Sequence, residues 1–382
     1  MDIFIFWISI GIIFYTWCLY PLLLAIFSKI LSKKIHFLKP LNKWPFISII
    51  LPVHNEELAI KRKLDNLLSI DYPNYEIIVV SDGSTDNTEK VVLEYQRSFR
   101  NVKLLSLFHV GKSTAQNEGV KIAKGDIIVF TDVDSIFEKN VLKNIVLLFQ
   151  NPQVGCVTAQ VKWINPKESA ITEGGNIYWK YENFLWRCED KLGLLAWGAG
   201  TCLAVRRSIF RPIPPYYGED CIVPLDIVEQ GFLVKYQPKA VVYDFWSPDI
   251  KSEFKARVRM TLRSCAGTLS KKRLLNPLKF PKQAWAIWSH KLLRWLTPYW
   301  AFVAFITNLF AIKTSLFYLF FFIVQCLGYF IGLIGIYFTS KGRSLLIISH
   351  IGSFLLVLCS FAIGIWQALR GQKIIAYRSN EK

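Results

Sequence analysis

Two acidic pairs in this 382-residue chain have residue types and spacings that could do chemistry. Asp132 and Asp134 lie one residue apart in TDVDS, directly after the apolar run DIIVF, and Glu219 and Asp220 are adjacent in YYGED. Carboxylates spaced like the first pair can bind Mg²⁺ or Mn²⁺, which prefer oxygen ligands and neutralise phosphate groups. A carboxylate held in place, such as Asp220, can act as a general base. Each pair also has an ordinary interpretation, because acidic residues often cap helices.

Two basic segments could bind phosphate oxygens. In HVGKSTAQNEG, Lys112 opens a predicted helix, where its charge and the helix N-terminus can both attract a phosphate. This segment is not a Walker P-loop, because Ser106 stands where that loop requires its first glycine. In KARVRMTLRS, Arg259 and Arg263 lie about one helical turn apart, which suits the clamping of phosphate oxygens. A solvated lysine and a basic helix lying on lipid headgroups remain open as alternatives.

Alternating strands and helices would bring these distant residues together. Four apolar runs, separated by stretches long enough for crossover helices, predict strands at 47–53, 76–82, 102–107 and 126–132. This order predicts a parallel sheet covered on both faces, with ligands bound at the carboxyl ends of the strands. Asp82 ends one predicted strand and Asp132 ends another, so we expect both at one rim of the sheet.

Long uncharged runs predict membrane-spanning helices at both ends of the chain. The runs 3–27, 314–340 and 344–369 each exceed the roughly 20 residues that cross a bilayer as a helix. The run 295–312 is shorter, so a further crossing and a segment lying in the interface are both open. The predicted organisation is an N-terminal anchor (1–31), a soluble α/β domain (45–270), a basic amphipathic interfacial segment (271–296), C-terminal transmembrane helices (297–370) and a basic tail (371–382).

Basic residues cluster beside these apolar runs. The chain has 46 Lys and Arg against 28 Asp and Glu, a net charge of +18. The clusters follow the first run and precede the later ones, which by the positive-inside tendency places the soluble domain in the cytosol. The same distribution favours contact with anionic membrane lipids and disfavours nucleic acid as a partner. Eight cysteines without a C-x-x-C pair are typical of unpaired residues in a reducing compartment.

The segment QAWAIWSHKLLRWL (283–296) predicts an amphipathic helix. It places Trp285, Trp288 and Trp295 on one helical face, with Lys291 and Arg294 beside that face. Tryptophan and basic side chains together are typical of a helix lying in the membrane interface. We therefore expect this helix to seat the soluble domain on the membrane.

Five motifs together resemble the membrane-bound glycosyltransferases of family 2, the group containing cellulose, hyaluronan and poly-N-acetylglucosamine synthases. They occur in the order of that family over residues 46–263: LPVHNEE, VVSDGSTDNT, GKSTAQNEG, TDVDS and GED. The resemblance implies a GT-A fold, a mostly parallel, Rossmann-like α/β sheet that binds a nucleotide sugar, with transmembrane helices at both ends. It also implies an inverting sugar transfer, dependent on Mg²⁺ or Mn²⁺, at the cytosolic face of a bacterial plasma membrane.

The resemblance assigns roles to individual residues. The donor, expected to be a UDP-sugar, would contact Pro52, His54, Glu56, Asp82, Lys112 and Asp132. Pro52 and His54 would line the uracil pocket, and Asp82 would bond to the base. Asp132 and Asp134 would bind the metal, and Asp220 would take the proton from the acceptor hydroxyl. The acceptor or the diphosphate would contact Trp197, Glu219 and Arg263.

One motif departs from the family pattern. Processive members carry Q-x-x-R-W after the E-D motif, and the same register here holds Met260, Arg263 and Ser264. The missing tryptophan would floor the entrance of a polymer channel, so this departure argues against extrusion. Transfer of one sugar to a lipid-linked or saccharide acceptor and synthesis of a chain both stay open.

The alternative from another class, a non-catalytic scaffold that binds nucleotide sugar, predicts loss of Asp134 or Asp220, and both are present. Nothing in the sequence specifies the donor sugar or an accessory subunit.

Overall fold

Apolar strands alternate with helices in the computed structural model, which describes residues 1–31, 43–164, 170–245, 249–341, 343 and 346–374. The strands are β1 (Ile47–Val53), β2 (Tyr75–Asp82), β3 (Val102–Leu107), β4 (Ile127–Phe130), β5 (Ile136–Phe137), β6 (Val154–Trp163), β7 (Leu203–Arg206) and β8 (Leu233–Asp244). The helices are α1 (Asp2–Phe14), α2 (Tyr20–Ile30), α3 (Glu57–Leu68), α4 (Thr88–Ser98), α5 (Lys112–Ile122), α6 (Val141–Leu148), α7 (Ala170–Leu192), α8 (Glu219–Glu229), α9 (Ile250–Ser270), α10 (Pro281–Ile287), α11 (Leu293–Trp295), α12 (Thr297–Ala311), α13 (Leu316–Ser340) and α14 (Leu346–Leu369). Short π-helical segments, Tyr15–Leu19 and Trp288–Leu292, join α1 to α2 and α10 to α11. The four predicted strands are confirmed as β1 to β4.

The described strands form one mixed sheet in the order β3-β2-β1-β4-β7-β6-β8-β5. β1 pairs in parallel with β2 and β4, and β2 pairs in parallel with β3, so this half is the predicted parallel sheet. β7 is antiparallel to both β4 and β6, β8 is parallel to β6, and β5 is antiparallel to β8. The side chains of Ile49 and Leu51 join one hydrophobic cluster and that of Ile50 joins another, so both faces of β1 are covered.

The parallel half of the sheet positions the predicted site. Val53 of β1 pairs with Ser81 of β2, and Ile50 of β1 pairs with Phe130 of β4. Parallel neighbours end at the same edge, so the segments that follow these strands lie at one rim of the sheet. The motifs LPVHNEE, VVSDGSTDNT and TDVDS occupy that rim.

Within the described residues, three helical stretches are long and apolar enough to cross a membrane: 2–30, α13, and residues 347–369 of α14. Phe320, Phe330 and Leu333 of α13 are each 61% exposed. Large exposed apolar side chains on a long helix are expected where lipid, rather than water, surrounds the protein. The lysines at positions 33, 34 and 39 and the end of the basic tail lie outside the described residues.

The shorter apolar run forms α12, which lies beside α1 in an antiparallel direction. The indole Nε1 of Trp17 donates to Thr297 Oγ1 at 3.0 Å, at the start of α12. At the other end, Trp7 Nε1 donates to the hydroxyl of Tyr318 at 3.3 Å, just beyond α12. α12 therefore follows the N-terminal helix over much of its length.

The basic side chains of the helix predicted at 283–296 pack against protein, while Trp288 of the same helix is 42% exposed and its contact with the membrane remains a prediction. Arg294 and His290 are 1% and 2% exposed. Arg294 donates to Glu182 of α7, His290 Nε2 lies 3.0 Å from Glu182, and Lys291 Nζ lies 3.3 Å from it. Glu189 of α7 bonds to the other ring nitrogen of His290 at 2.7 Å. The basic side chains of this segment turn inward because a buried carboxylate needs charged partners, which the amphipathic pattern alone does not reveal.

Candidate active site

A lysine bridges two of the predicted acidic residues at the rim of the sheet. Lys112, the first residue of α5, places its Nζ 2.6 Å from Asp132 Oδ1 and 2.6 Å from Glu219 Oε1. The Glu219 side chain is 4% exposed, whereas those of Lys112 and Asp132 are each 35% exposed. Three motifs that are distant in sequence, GKST, TDVDS and GED, therefore meet at one point.

Burial and charge together set the protonation of this cluster. Burial acts to lower the pKa of Lys112, but Asp132 and Glu219 outweigh it and hold that pKa above its ordinary value. Burial and the charge of Glu219 raise the pKa of Asp132, although Lys112 opposes them. Burial acts to raise the pKa of Glu219, but Lys112 and Arg263 lower it below the ordinary value. Lys112 is therefore a fixed positive charge beside the D-x-D motif.

The close contact between these motifs requires a glycine. A Cβ atom added at Gly200 would lie 2.8 Å from Glu219 Oε1 and 3.8 Å from Asp132 Oδ2. A side chain at this position would push Glu219 away from Lys112. The AWGAG segment thus forms one wall of the cluster.

A buried lysine that the sequence did not single out donates hydrogen bonds to the loop that contains the D-x-D motif. Lys63 of α3 is 1% exposed, and its Nζ donates to Thr131 Oγ1 at 3.0 Å and to both the carbonyl oxygen and Oγ of Ser135 at 2.7 Å. Burial lowers the pKa of Lys63 to about 7, although Asp132 and other nearby carboxylates oppose this. Its signal was available: Lys63 stands at the helical spacing of the apolar residues Ile60, Leu64 and Leu67, on the buried face of α3.

A third carboxylate, also missed, lies beside the D-x-D motif. β5 pairs antiparallel with β8 so that Ile136 is opposite Tyr243, which brings Asp244 next to the segment containing Asp134. Burial raises the pKa of Asp244 to about 7, and the charges of Asp132 and Asp134 add to this rise. Residue 244 is more than 100 positions from the motif, and no sequence pattern linked the two.

The carboxylates at this rim fit a hard divalent cation by their chemistry. Asp132 and Asp134 supply oxygen ligands of the kind that Mg²⁺ and Mn²⁺ prefer, and Asp244 adds a third carboxylate nearby. Burial is the main cause of the raised pKa values of Asp132 and Asp244, neighbouring carboxylates add to both, and a cation at this rim would lower both. In the described part of the chain, no three potential ligands already stand in a metal-binding arrangement.

Asp220 lines a cavity of about 220 Å³ next to the cluster. Burial raises the pKa of this carboxyl to about 6, the charges of Glu219 and Asp132 act in the same direction, and Lys112 and Arg263 oppose them. A carboxyl with this pKa is ionised at neutral pH and still accepts a proton readily, which suits a general base. Five tryptophans share this cavity: Trp163, Trp179, Trp186, Trp197 and Trp295.

The predicted acceptor-side residues fall into two places. Trp197 lines the Asp220 cavity, is 5% exposed, and packs edge-to-face on Trp295 at 5.9 Å. Arg263 instead ties α9 to the rim, because its Nη2 donates to Ser113 Oγ at 2.7 Å and to the carbonyl oxygen of Tyr217 at 2.6 Å. Contact of either residue with an acceptor or a diphosphate remains a prediction.

The predicted donor-side residues lie at the ends of β1 and β2. Asp82 is 4% exposed, and its carboxylate accepts hydrogen bonds from the backbone N–H groups of Val110 at 2.6 Å and Gly111 at 3.0 Å. Gly111 has a φ of +89°, which favours glycine, so Asp82 holds the turn that precedes Lys112. His54 Nδ1 lies 2.7 Å from the carbonyl oxygen of Asp82. Pro52 is in β1 and Glu56 precedes α3, at the same edge; their contacts with a nucleotide base remain predictions.

The family model described as glycosyl transferase family 2 matches residues 48–213. The chain is 28% identical over 220 residues to the probable glycosyltransferase YdaM of Bacillus subtilis (53% of this chain, 51% of the relative). It is 28% identical over 204 residues to a beta-monoglucosyldiacylglycerol synthase of Nostoc (52% and 44%). It is 26% identical over 266 residues to a poly-beta-1,6-N-acetyl-D-glucosamine synthase of Staphylococcus epidermidis (66% and 64%). The chain thus spans less than two thirds of the length of each of these relatives.

A solved structure shares the fold over nearly the whole chain. The mannosyltransferase PcManGT from Pyrobaculum calidifontis, in complex with GDP-Man and Mn²⁺, superposes with a TM-score of 0.71 at 20% sequence identity. The match covers 97% of this chain and 100% of that one. The motifs, the sheet and these similarities agree: residues 48–213 form a glycosyl transferase family 2 domain, and the chain has the GT-A fold, as the resemblance implied.

Proposed function

We propose that this chain transfers a sugar, with inversion, from a nucleoside-diphosphate sugar to a hydroxyl group of a lipid-linked or saccharide acceptor. Asp220 carries the proposal, because it combines a pKa of about 6 with a position in a cavity beside Lys112, Asp132 and Glu219. A base and a phosphate-binding cluster that adjoin in this way are what a direct displacement requires.

The proposed step is a single displacement. The oxygen of the acceptor hydroxyl forms a bond to the anomeric carbon while the bond from that carbon to the phosphate oxygen breaks. The Asp220 carboxylate takes the hydroxyl proton, and the nucleoside diphosphate leaves with the electron pair. Lys112 attracts the diphosphate, and Arg263 adds positive charge at the same rim.

Asp132 and Asp134 would hold Mg²⁺ or Mn²⁺, with Asp244 as an additional carboxylate. The metal would supply positive charge to the leaving diphosphate. The Mn²⁺ in the PcManGT complex supports this part of the proposal. We expect UDP as the nucleotide of the donor sugar. Because the PcManGT complex contains GDP-Man, GDP is the alternative.

The curated relatives support both acceptor classes. One is named for a diacylglycerol product and another for a polysaccharide. Processive synthesis is the second candidate, favoured by the polysaccharide synthases and disfavoured by Met260 and Ser264, which stand where processive members carry glutamine and tryptophan. We place the reaction at the cytosolic face of a plasma membrane, because the candidate spans flank a domain whose donor would come from the cytosol.

The deciding experiment uses the full chain, purified in mild detergent with Mn²⁺. A panel of UDP-sugars and GDP-sugars is tested for release of the nucleotide, with and without added acceptors, alongside Asp220→Asn. Asp65→Asn, in α3 and away from the cavity, is the control. We expect nucleotide release that requires the metal, survives in the control and is lost in Asp220→Asn.

Product length separates the two candidates, because one transfer gives a single added sugar and a processive enzyme gives a ladder. Undiminished release by Asp220→Asn would remove this residue as the base. Donor binding without turnover by the unaltered chain, under every acceptor condition, would favour the non-catalytic scaffold.

A further inference from the structure

The cavity containing Asp220 adjoins a second cavity. The second one, of about 310 Å³, lies between α7, α9 and the neighbouring ends of α13 and α14. Tyr178, Glu253 and Arg257 line both cavities. One molecule can therefore occupy both, with one end near Asp220 and the other against α14.

The second cavity has a wall suited to hydrocarbon. Its lining includes Trp17, Ile336, Phe354, Leu356 and Val357, and every one of these belongs to a stretch that is long and apolar enough to cross a membrane. Packing against such side chains keeps an alkyl chain in surroundings as apolar as those of the bilayer. A lipid could enter this space from the membrane without passing through water.

The Asp220 cavity instead offers a buried donor to a polar headgroup. Trp186 is 3% exposed, lines this cavity, and its Nε1–H has no hydrogen-bond partner among the described residues. In the adjoining cavity the hydroxyl of Tyr181 is likewise buried without a partner in the described structure. Buried donors normally have a partner, so a hydroxyl-bearing headgroup in the Asp220 cavity would supply one for Trp186, and an oxygen at the start of the chain that enters the second cavity, such as an ester oxygen, would supply one for Tyr181.

The cations that line the Asp220 cavity are already paired. Arg257 Nε donates to Glu253 Oε1 at 2.5 Å, and Lys291 Nζ lies 3.3 Å from Glu182 Oε2. Both carboxylates line the same cavity, and Asp220 adds further negative charge. Among these lining side chains three carboxylates face two cations, and both cations already contact carboxylates, so the lining favours an uncharged hydroxyl over a phosphate beside Asp220.

We infer, on the basis of the function proposed above, that the acceptor is a lipid with an uncharged hydroxyl-bearing headgroup. Its hydrocarbon chain occupies the second cavity, and its headgroup lies between the tryptophans and Asp220. The cluster at Lys112 lies outside the lining of this cavity and contacts Glu219, the residue before Asp220.

Two substitutions that each introduce phenylalanine test the inference on the full chain in nanodiscs. Ser353→Phe fills the second cavity, and Leu327→Phe adds bulk to α13 at a side chain that is 52% exposed and outside both cavities. The acceptors are dioleoylglycerol, dibutyrylglycerol, a polyprenyl phosphate and a soluble oligosaccharide. We expect Ser353→Phe to lower kcat/KM for dioleoylglycerol by about tenfold or more relative to dibutyrylglycerol, because only the long chain needs the cavity. Leu327→Phe should leave that ratio unchanged.

Preference for polyprenyl phosphate over dioleoylglycerol would overturn the inference that the acceptor headgroup is uncharged. Equal use of the oligosaccharide by both variants would overturn the inference that the acceptor is a lipid. An equal loss for long-chain and short-chain acceptors would mean that a structural lipid, not the acceptor, fills the cavity.

A photoreactive diacylglycerol keeps the inference testable if no sugar is transferred. It should crosslink to α14 in the unaltered chain and in Leu327→Phe, and much less in Ser353→Phe. Crosslinking without transfer would contradict the proposed function and leave the binding site intact, whereas absence of crosslinking would overturn the inference itself.

Discussion

At the scale of residues, the pKa of Asp220 follows from how its neighbours share one lysine. Lys112 lies between Asp132 and Glu219, at 2.6 Å from each. Burial and these two carboxylates raise the pKa of Asp220, and they outweigh Lys112, whose charge the carboxylates share, and Arg263, which lower it. The pKa of the Asp220 carboxyl is consequently about 6 rather than the ordinary value of 3.8. The same arrangement leaves Lys112 charged at any physiological pH.

The first prediction concerns the pH dependence of catalysis. The active form of Asp220 is the carboxylate, so kcat/KM for the acceptor should rise as the pH increases through about 6 and level off above it. Asp220→Asn should lower kcat by about 10³-fold and abolish this rise. Kinetics between pH 5 and 8, at saturating donor and metal, check it. A rise that persists unchanged in Asp220→Asn would assign the titration to another group.

The second prediction concerns Lys63, the buried lysine under the D-x-D loop. Lys63→Met should lower the stability by about 2 kcal/mol, because the buried oxygens of Thr131 and Ser135 would lose their shared donor. It should also raise the Mn²⁺ concentration needed for half-maximal activity, since the loop holding Asp132 loses its support. Lys61→Met, on the exposed face of the same helix, is the matched control. Thermal unfolding in detergent and a Mn²⁺ titration measure the two effects, and equal behaviour of both variants would contradict the assigned role.

At the scale of elements, a buried ionic network joins α7 to the segment from α10 to α11. Glu182 accepts from Arg294 and lies close to His290 and Lys291, while Glu189 bonds to His290 and to the hydroxyl of Tyr20 in α2 at 2.7 Å. The network therefore also fastens the N-terminal anchor to the soluble domain. Lys291 Nζ in turn lies 5.1 Å from the ring centre of Trp197, which lines the Asp220 cavity.

The third prediction tests this network through stability. Glu182→Gln should destabilise the protein by about 3 kcal/mol, because Arg294 would remain buried without a charged partner. Burial acts to raise the pKa of Glu182, but Arg294, Lys291 and His290 hold it well below 4.5. The stabilisation is therefore present above the ordinary glutamate pKa and is lost only as the pH falls through the lower value of the folded state. Thermal unfolding checks it, with Glu94→Gln on α4 as an exposed control; equal unfolding temperatures for the two variants would show that the network contributes nothing.

At the scale of the whole molecule, both ends of α14 contact the soluble domain. Near its start, His350 Nε2 lies 3.8 Å from Glu173 of α7, and beyond its end, Lys373 Nζ lies 4.5 Å from the ring centre of Tyr216. We therefore propose that α14, although long and apolar enough to cross a membrane, lies along the domain. The two C-terminal crossings are then α13 and the shorter α12, which runs beside the N-terminal helix. This arrangement returns Arg370 and Lys373 to the side that the positive-inside tendency favours.

The fourth prediction tests this topology by labelling. In a background with Cys18 and Cys359 replaced by alanine, Thr314→Cys between α12 and α13 should react with an impermeant maleimide added to intact cells. Arg370→Cys should react only after the membrane is opened, because it follows α14 on the cytosolic side. Lys239→Cys on the soluble domain is the cytosolic reference. Labelling of Arg370→Cys in intact cells would make α14 a crossing.

The sequence by itself determined the strands, the apolar helices and the rim. β1 to β4 were predictable because each is a short apolar run bounded by polar residues, and parallel neighbours must end at one edge. Asp82 and Asp132 were expected at one rim because each ends a predicted strand, and the resemblance assigned Lys112 and Glu219 to the same site; that Lys112 bridges Asp132 and Glu219 is seen in their distances. The strands and the rim are local patterns, or consequences of chain direction, and need no knowledge of packing.

Only the tertiary structure decided which charges are buried and what they face. Asp244 reaches the D-x-D motif through the pairing of β5 with β8, and Arg294 turns inward because Glu182, 112 residues earlier in the chain, is buried beside it. The junction of the two cavities likewise depends on α14 packing against α7 and α9. A sequence pattern reports the period of one element, whereas burial of a charge and the shape of a cavity depend on which elements pack together.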